Sequence, residues 1–273
     1  MKTKRFYLKD LSEHFANSKA YFDYYEFANS DQPSSFKRPA LVVVPGGGYH
    51  FVAIREGEPI ALRFLCEGFT AFVLTYSVYT KYPGPHLELA FMMNYINEHS
   101  EEFKILKQST SLVGFSAGGH LVGSYSYLYG ELADMLSIRK EDIRPKSIIL
   151  GYPVILLKKE SNGNTMNNIS NKEDDLIAKL TIEKHVGKDY PPTYIFTSKD
   201  DNLVPYEHTV IMDEMLTKAG VPHITRIFER GGHGGSLFTQ GVFEGNKVID
   251  EFKENREWPA EAADFMLNVL NKK

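Results

Sequence analysis

Apolar residues along this chain follow two rhythms. Ala40-Leu41-Val42-Val43-Val44 is a continuous run that stops at Pro45 and three glycines. A run without alternation suits a strand buried on both faces. Similar runs predict strands over 70–78, 111–113, 147–150, 194–198 and 224–228. Between them the period lengthens. Leu89, Met92, Met93 and Ile96 recur at helical spacing, predicting a helix across 86–102. Further helices are expected over 59–66, 116–129 and 205–219. A last helix should begin near Pro259, with Trp258, Ala262, Phe265, Met266 and Val269 as its apolar stripe. The aromatic-rich segments 5–8 and 21–27 suit edge strands.

The segment from about 156 to 190, rich in Asn, Lys, Asp and Glu, breaks this alternation. It is the natural place for an inserted cap. The rest predicts one α/β domain over 1–273, a mostly parallel sheet with helices on both faces. In such sheets ligands gather beyond the carboxyl ends of the strands.

Composition narrows the classes. The length of 273 residues suits one α/β domain, and 42% hydrophobic with 24% charged residues is ordinary for a soluble globular chain. Net charge is −4 with no basic stripe, so no nucleic-acid partner is expected. The polar run 158–175 mixes both signs and reads as solvated. The single cysteine, Cys66, excludes an intrachain disulfide, and its neighbours Leu62, Phe64 and Leu65 suggest a buried thiol. No Cys/His spacing suits zinc, and no metal or organic cofactor is expected. The basic, aromatic start lacks a signal peptide's apolar core, and no apolar run is long enough to span a bilayer. A cytoplasmic protein without a membrane partner is expected.

The chemistry lies where predicted strands end. Gly114-Phe115-Ser116-Ala117-Gly118 matches G-x-S-x-G, the strand-to-helix turn that exposes a serine hydroxyl. Larger side chains two residues before and after Ser116 would collide in that turn, so both places are glycine. A glycine-rich turn with an ordinary serine has the same five residues; the strand before and helix after favour the elbow. Pro45-Gly46-Gly47-Gly48-Tyr49 follows the 40–44 strand. Bare glycines let backbone N–H groups approach a substrate, and removing one oxyanion donor typically costs ~3–4 kcal/mol. Gly47 and Gly48 are candidate donors, with the Ala117 N–H as the second arm. A flexible turn or phosphate loop is the alternative, though no Gly-Lys-Ser/Thr follows. In Arg55-Glu56-Gly57-Glu58, the acids either favour a helix start, or Arg55 or Glu56 braces the glycine loop.

Nine histidines compete for the role of base. His233 stands out: it follows the 224–228 strand in Gly231-Gly232-His233-Gly234-Gly235, a loop able to swing over a serine. A helical histidine such as His99 cannot do so easily, and His120, one turn past Ser116, suits packing. The acid should follow the 194–198 strand, where Asp200 and Asp201 both stand. Serine, then acid, then histidine is the chain order of α/β hydrolases.

Together these motifs resemble the α/β-hydrolase superfamily, and more closely its bacterial acetyl-esterase and xylan-esterase-like branch, related to hormone-sensitive lipase. The matching pieces are P-G-G-G-Y-H from Pro45, R-E-G-E-P-I-A from Arg55, G-F-S-A-G-G-H-L from Gly114, D-N-L-V-P from Asp201 and G-G-H-G from Gly231. D-x-x-V-P recurs at the acid position in related hydrolases, which favours Asp201 over Asp200. The lipase motif usually starts with histidine where Pro45 stands; backbone donors survive that change. The resemblance implies a Ser116–His233–Asp201 hydrolase acting on short acyl esters, acetylated sugars among them, without cofactor. Tyr49 and His50 are candidate substrate contacts, with Tyr79, Tyr152 and residues of 156–190 as further wall candidates. An amidase or formamidase of the kynurenine-formamidase type would use the same three residues. A non-catalytic ligand-binding protein on this fold would usually lack one of them.

Overall fold

A computed structural model describes residues 1–27, 33, 36–157, 163–242 and 252–271. The expected cap at 156–190 and the polar run at 158–175 thus fall partly outside the described residues, at 158–162. The strands are β1 (Lys2–Tyr7), β2 (Tyr21–Glu26), β3 (Ala40–Val44), β4 (Thr70–Thr75), β5 (Ser111–Phe115), β6 (Ile148–Gly151), β7 (Thr193–Ser198) and β8 (His223–Phe228). They form one sheet in the order β1-β2-β4-β3-β5-β6-β7-β8. The β1–β2 and β2–β4 pairs are antiparallel and the remaining pairs parallel. This is the α/β-hydrolase fold.

The uninterrupted apolar runs have a simple cause. Val42, Val44, Leu112 and Leu150 face one core; Leu41, Val43, Val113 and Ile149 face the other. Helices Gly84–Glu98, Ala117–Leu136 and Glu207–Ala219 pack in the first core, while Glu58–Cys66 and Trp258–Asn271 cover the second. Each fully buried Leu, Ile or Phe contributes about 1.5–3 kcal/mol relative to exposure, so both faces must be covered.

Register aligns the strand ends. Val44 pairs with Gly114, Phe115 with Gly151, Gly151 with Phe196 and Ser198 with Phe228. The loops after β3, β5, β6, β7 and β8 therefore leave from one rim.

Several boundaries differ from expectation. β4 stops at Thr75, because the Ser77 N–H turns to Glu88 Oε2 at 2.8 Å instead of a strand partner. The helix expected to reach 102 ends at Glu98. The elbow helix runs on to Leu136, since Leu128, Leu132 and Ala133 prolong its buried stripe. Pro205 precedes its helix, which starts at Glu207, and its carbonyl accepts the His208 N–H at 3.1 Å. Cys66 is exposed: Ile60, Ala61, Phe64 and Leu65 take the buried face of its helix, and position 66 falls outside it. Among the described residues, no helix is long and apolar enough to cross a membrane.

Candidate active site

The turn at Ser116 is a steric necessity. Ser116 adopts φ 51°, ψ −118° and caps the helix Ala117–Leu136. A Cβ on Gly114 would lie 2.3 Å from the Gly118 carbonyl oxygen, and one on Gly118 would lie 2.2 Å from that of Val44. With no side chain there, the elbow helix sits against the end of β3. The serine hydroxyl then stands at the sheet rim, in a strained conformation.

His233 reaches it from the loop after β8. His233 Nε2 lies 2.9 Å from Ser116 Oγ, and Nδ1 lies 2.7 Å from Asp201 Oδ2. A carboxylate only accepts, so Nδ1 carries the proton and Nε2 accepts from the serine hydroxyl. The other Asp201 oxygen accepts the N–H groups of Leu203 and Val204, each at 2.9 Å. That turn fixes the carboxylate beneath the imidazole and leaves its side chain fully buried. Asp200 points elsewhere: its Oδ1 accepts the Gly232 N–H at 2.8 Å, tying the histidine loop to β7's end. Of the two acids that the sequence left open, the hydrogen bond to His233 belongs to Asp201.

The glycine loop presents its amides by pinning its carbonyls. The Gly46 carbonyl accepts the Ala53 N–H at 3.1 Å, and the Gly47 carbonyl accepts those of His50 and Phe51 at 2.9 and 3.1 Å. In a trans peptide the N–H points opposite to the carbonyl, so the Gly47 and Gly48 N–H groups face outward. Among the described residues neither has a partner within the protein. The Ala117 N–H heads its helix, where intrahelical acceptors are lacking. Gly47 has φ 122°, and a Cβ there would lie 2.0 Å from the Phe51 carbonyl oxygen.

Glu56 braces this loop. Its Oε2 accepts the Gly46 N–H and its Oε1 the Tyr152 hydroxyl, both at 2.8 Å. The Tyr152 oxygen in turn accepts the Ser236 N–H at 3.1 Å. Burial raises the Glu56 pKa, and the Gly46 and Tyr152 hydrogen bonds and nearby His233 oppose that rise. Arg55 works alongside: its Nε donates to the Gly234 carbonyl at 2.9 Å, and its carbonyl accepts from Ser236 Oγ. The pair thus joins the glycine loop to the histidine loop, which no local pattern announced. Tyr152, expected at the wall, lies behind it, its ring edge-on to that of His233 at 5.0 Å.

A cavity of about 490 Å³ opens here, lined by Gly47, Gly48, His50, Ser116, Thr165 and His233 among others. His50 is on its wall, as expected. Tyr49 is not: its ring is fully buried, and its hydroxyl meets His120 Nδ1 at 2.8 Å. Successive side chains diverge in this turn, so one neighbour faces solvent and the other the core. His120 packs as anticipated; Nε2 donates to the Leu180 carbonyl at 2.9 Å, and burial lowers its pKa to about 4. From the helix Gly163–Ser170, Asn168 Nδ2 donates to the Gly48 carbonyl at 2.9 Å. Its polar surroundings in the sequence carried no signal of that contact.

The BD-FAE family model matches residues 27–216, a span that holds the glycine loop, the elbow and Asp201. The chain belongs to the BD-FAE family. It stands within the acetyl- and xylan-esterase-like branch of the α/β hydrolases. Like it, at 28% identity, are endo-1,4-beta-xylanase B of Butyrivibrio fibrisolvens over 77% of the chain, and the acetylxylan esterase of Xylanibacter ruminicola over 71%. The alignments take in 34% and 40% of those two proteins, so this BD-FAE chain spans well under half their length. A crystal structure of an acetyl ester-xyloside bifunctional hydrolase from Caldicellulosiruptor lactoaceticus superposes with TM-score 0.76 at 28% identity, covering 92% of this chain and 88% of that one.

Proposed function

We propose that this protein is a serine carboxylesterase that hydrolyses short-chain acyl esters, acetyl esters of carbohydrates among them. The supporting observation is the unbroken hydrogen-bond chain Asp201–His233–Ser116, beside the unpartnered Gly47 and Gly48 amides in one cavity. Kinship with the Xylanibacter acetylxylan esterase and the Caldicellulosiruptor hydrolase points the same way.

In this reading Ser116 Oγ attacks the ester carbonyl while His233 Nε2 takes its proton. The carbonyl oxygen gains the negative charge and rests on the N–H groups of Gly47, Gly48 and Ala117. Asp201 holds the imidazolium. The C–O bond to the alcohol breaks, and His233 returns the proton to the leaving oxygen. Water then attacks the acyl-enzyme, gives a proton to the same nitrogen, and the acid departs as Ser116 regains it.

The test is hydrolysis of p-nitrophenyl acetate by the protein and its Ser116→Ala variant. Loss of at least about a thousandfold in kcat is expected; equal rates refute the reading. A series of p-nitrophenyl esters of increasing acyl length should decline, and a preference for long chains would refute the short-acyl part.

A further inference from the structure

The Gly47 and Gly48 amides and the Ala117 amide come from different segments, so their spacing depends on what joins the glycine loop to the elbow helix. Gly47 and Gly48 have no side chains to pack, and the residues on either side must hold them. On one side stands Gly46. Its N–H is held by Glu56, and a Cβ there would lie 2.9 Å from Ser116 Cβ, so loop and elbow already touch. On the other side stands Tyr49, the first side chain after the glycines. Its ring is fully buried, its backbone has φ 57°, and its hydroxyl lies 2.8 Å from His120 Nδ1. A bulky residue kept at positive φ implies that its surroundings override the local strain. His120 stands one turn into the elbow helix, where its N–H donates to the Ser116 carbonyl at 3.0 Å. Its Nε2 donates to the Leu180 carbonyl at 2.9 Å, so Nδ1 is the bare acceptor and the Tyr49 hydroxyl is the donor. Burial lowers the His120 pKa to about 4, which keeps that acceptor unprotonated at neutral pH. A phenylalanine and a leucine could fill similar space without desolvating a hydroxyl and an imidazole, so packing alone does not account for the pair.

Resting on the esterase reading, we infer that Tyr49 and His120 are positioning residues: their hydrogen bond fixes the Gly47 and Gly48 amides against the Ala117 amide, so that all converge on the charge that forms in the reaction. Neither side chain reaches the reacting atoms, since both are fully buried. They act through the two backbones that they join. The glycine loop is then fastened at both ends, by contact with the elbow at Gly46 and by the phenol at Tyr49, with the two donors between. A donor stabilises an oxyanion only if it already points at the right place before reaction, and a displacement of about an ångström removes much of the effect. Because Asn168 also holds the Gly48 carbonyl, at 2.9 Å, loss of the Tyr49 bond loosens the loop rather than dismantling it.

The experiment measures kcat and KM for p-nitrophenyl acetate, and the inhibition constant of trifluoroacetone, in the native protein, Tyr49→Phe, His120→Gln, the double variant and His120→Asn. In trifluoroacetone the Ser116 oxygen adds to the ketone carbon, its proton passes to His233, and the ketone oxygen becomes the oxyanion, so the inhibitor reports on the amides. Circular dichroism confirms that each variant is folded. Glutamine can keep a donor near the place of Nε2 but loses the Nδ1 acceptor, whereas asparagine can put an acceptor near Nδ1. Tyr49→Phe and His120→Gln should each lower kcat by about tenfold with KM within about twofold, and should weaken trifluoroacetone by a similar factor. The double variant should lose no more than about tenfold, because one bond is removed twice. His120→Asn should stay within about threefold of native. Native kcat in folded Tyr49→Phe and His120→Gln overturns the positioning role. So do a fall in kcat with unchanged trifluoroacetone binding, and losses that multiply in the double variant. Should Tyr49→Phe fail to fold, His120→Gln against His120→Asn decides: equal losses in those two overturn the role. If the native protein leaves p-nitrophenyl acetate intact, the esterase reading has failed and the positioning role with it; native turnover without these losses sinks the positioning role alone.

Discussion

The Glu56 carboxylate holds the Gly46 N–H at 2.8 Å through one oxygen, while its other oxygen holds the hydroxyl of Tyr152, which reaches the histidine loop at Ser236. One buried acid thereby positions two loops that meet over Ser116. Glu56→Ala should therefore lower kcat by about ten- to a hundredfold, with a smaller change in KM, since amides displaced by an ångström lose most of their effect. Glu56→Gln keeps one acceptor and should recover part of the loss. Steady-state kinetics on p-nitrophenyl acetate, with thermal melts to confirm folding, check this; an unchanged kcat in Glu56→Ala would sink it.

Asp200 and Asp201 are adjacent but differently employed. Asp201→Asn removes the acceptor for His233 Nδ1–H and should cost on the order of 10⁴ in kcat, through the wrong imidazole tautomer. Asp200→Asn touches only the bond to Gly232 and should cost no more than about tenfold. Comparable losses in the two variants would contradict the assignment.

Gly47→Ala places a methyl 2.0 Å from a backbone oxygen at a residue with φ 122°. The loop must reshape and carry its amides away. A fall in kcat of about a hundredfold or more is expected, with a stability loss of about 1–3 kcal/mol by denaturant titration. Native-like turnover would show that these amides do not serve the reaction.

Burial depresses the pKa of His120 to about 4, from an ordinary value of 6.5. The unfolded chain therefore binds this proton first as pH falls. The stability linked to His120 is complete above pH 6.5 and drains away toward pH 4, a change on the order of 3 kcal/mol. His86, also lowered by burial, adds in the same direction. Urea titrations at pH 7 and pH 4.5 should show a smaller drop in His120→Gln than in the native protein, by about 2 kcal/mol. Parallel losses would refute the linkage.

Much of this was legible in one dimension. Val42–Val44, Leu112–Val113 and Ile148–Leu150 announce central strands because a strand covered on both faces has no polar side to show. The tight turn at Ser116 and the glycine-rich loop that carries His233 were legible for a related reason: backbone crowding and loop freedom demand glycines at fixed spacings, and those demands are local. Cys66 misled because apolar neighbours say nothing about which side of a short helix a residue takes. Tyr49 misled likewise, since the direction of a side chain leaving a turn depends on φ and ψ.

What the sequence determined by itself was the alternation of strand and helix, the chain order of Ser116, Asp201 and His233, and the bare glycines that let backbones approach. These follow from covalent geometry and from the period of apolar burial, which act over a few residues. Tertiary structure alone decided that Asp201 and not Asp200 meets His233, that Glu56 and Arg55 lace two loops together, and that Asn168 reaches Gly48. Those partners stand 32 to 179 residues apart except for Glu56 and Gly46, and a hydrogen bond is set by distance and angle in space, to which neighbours along the chain give no guide.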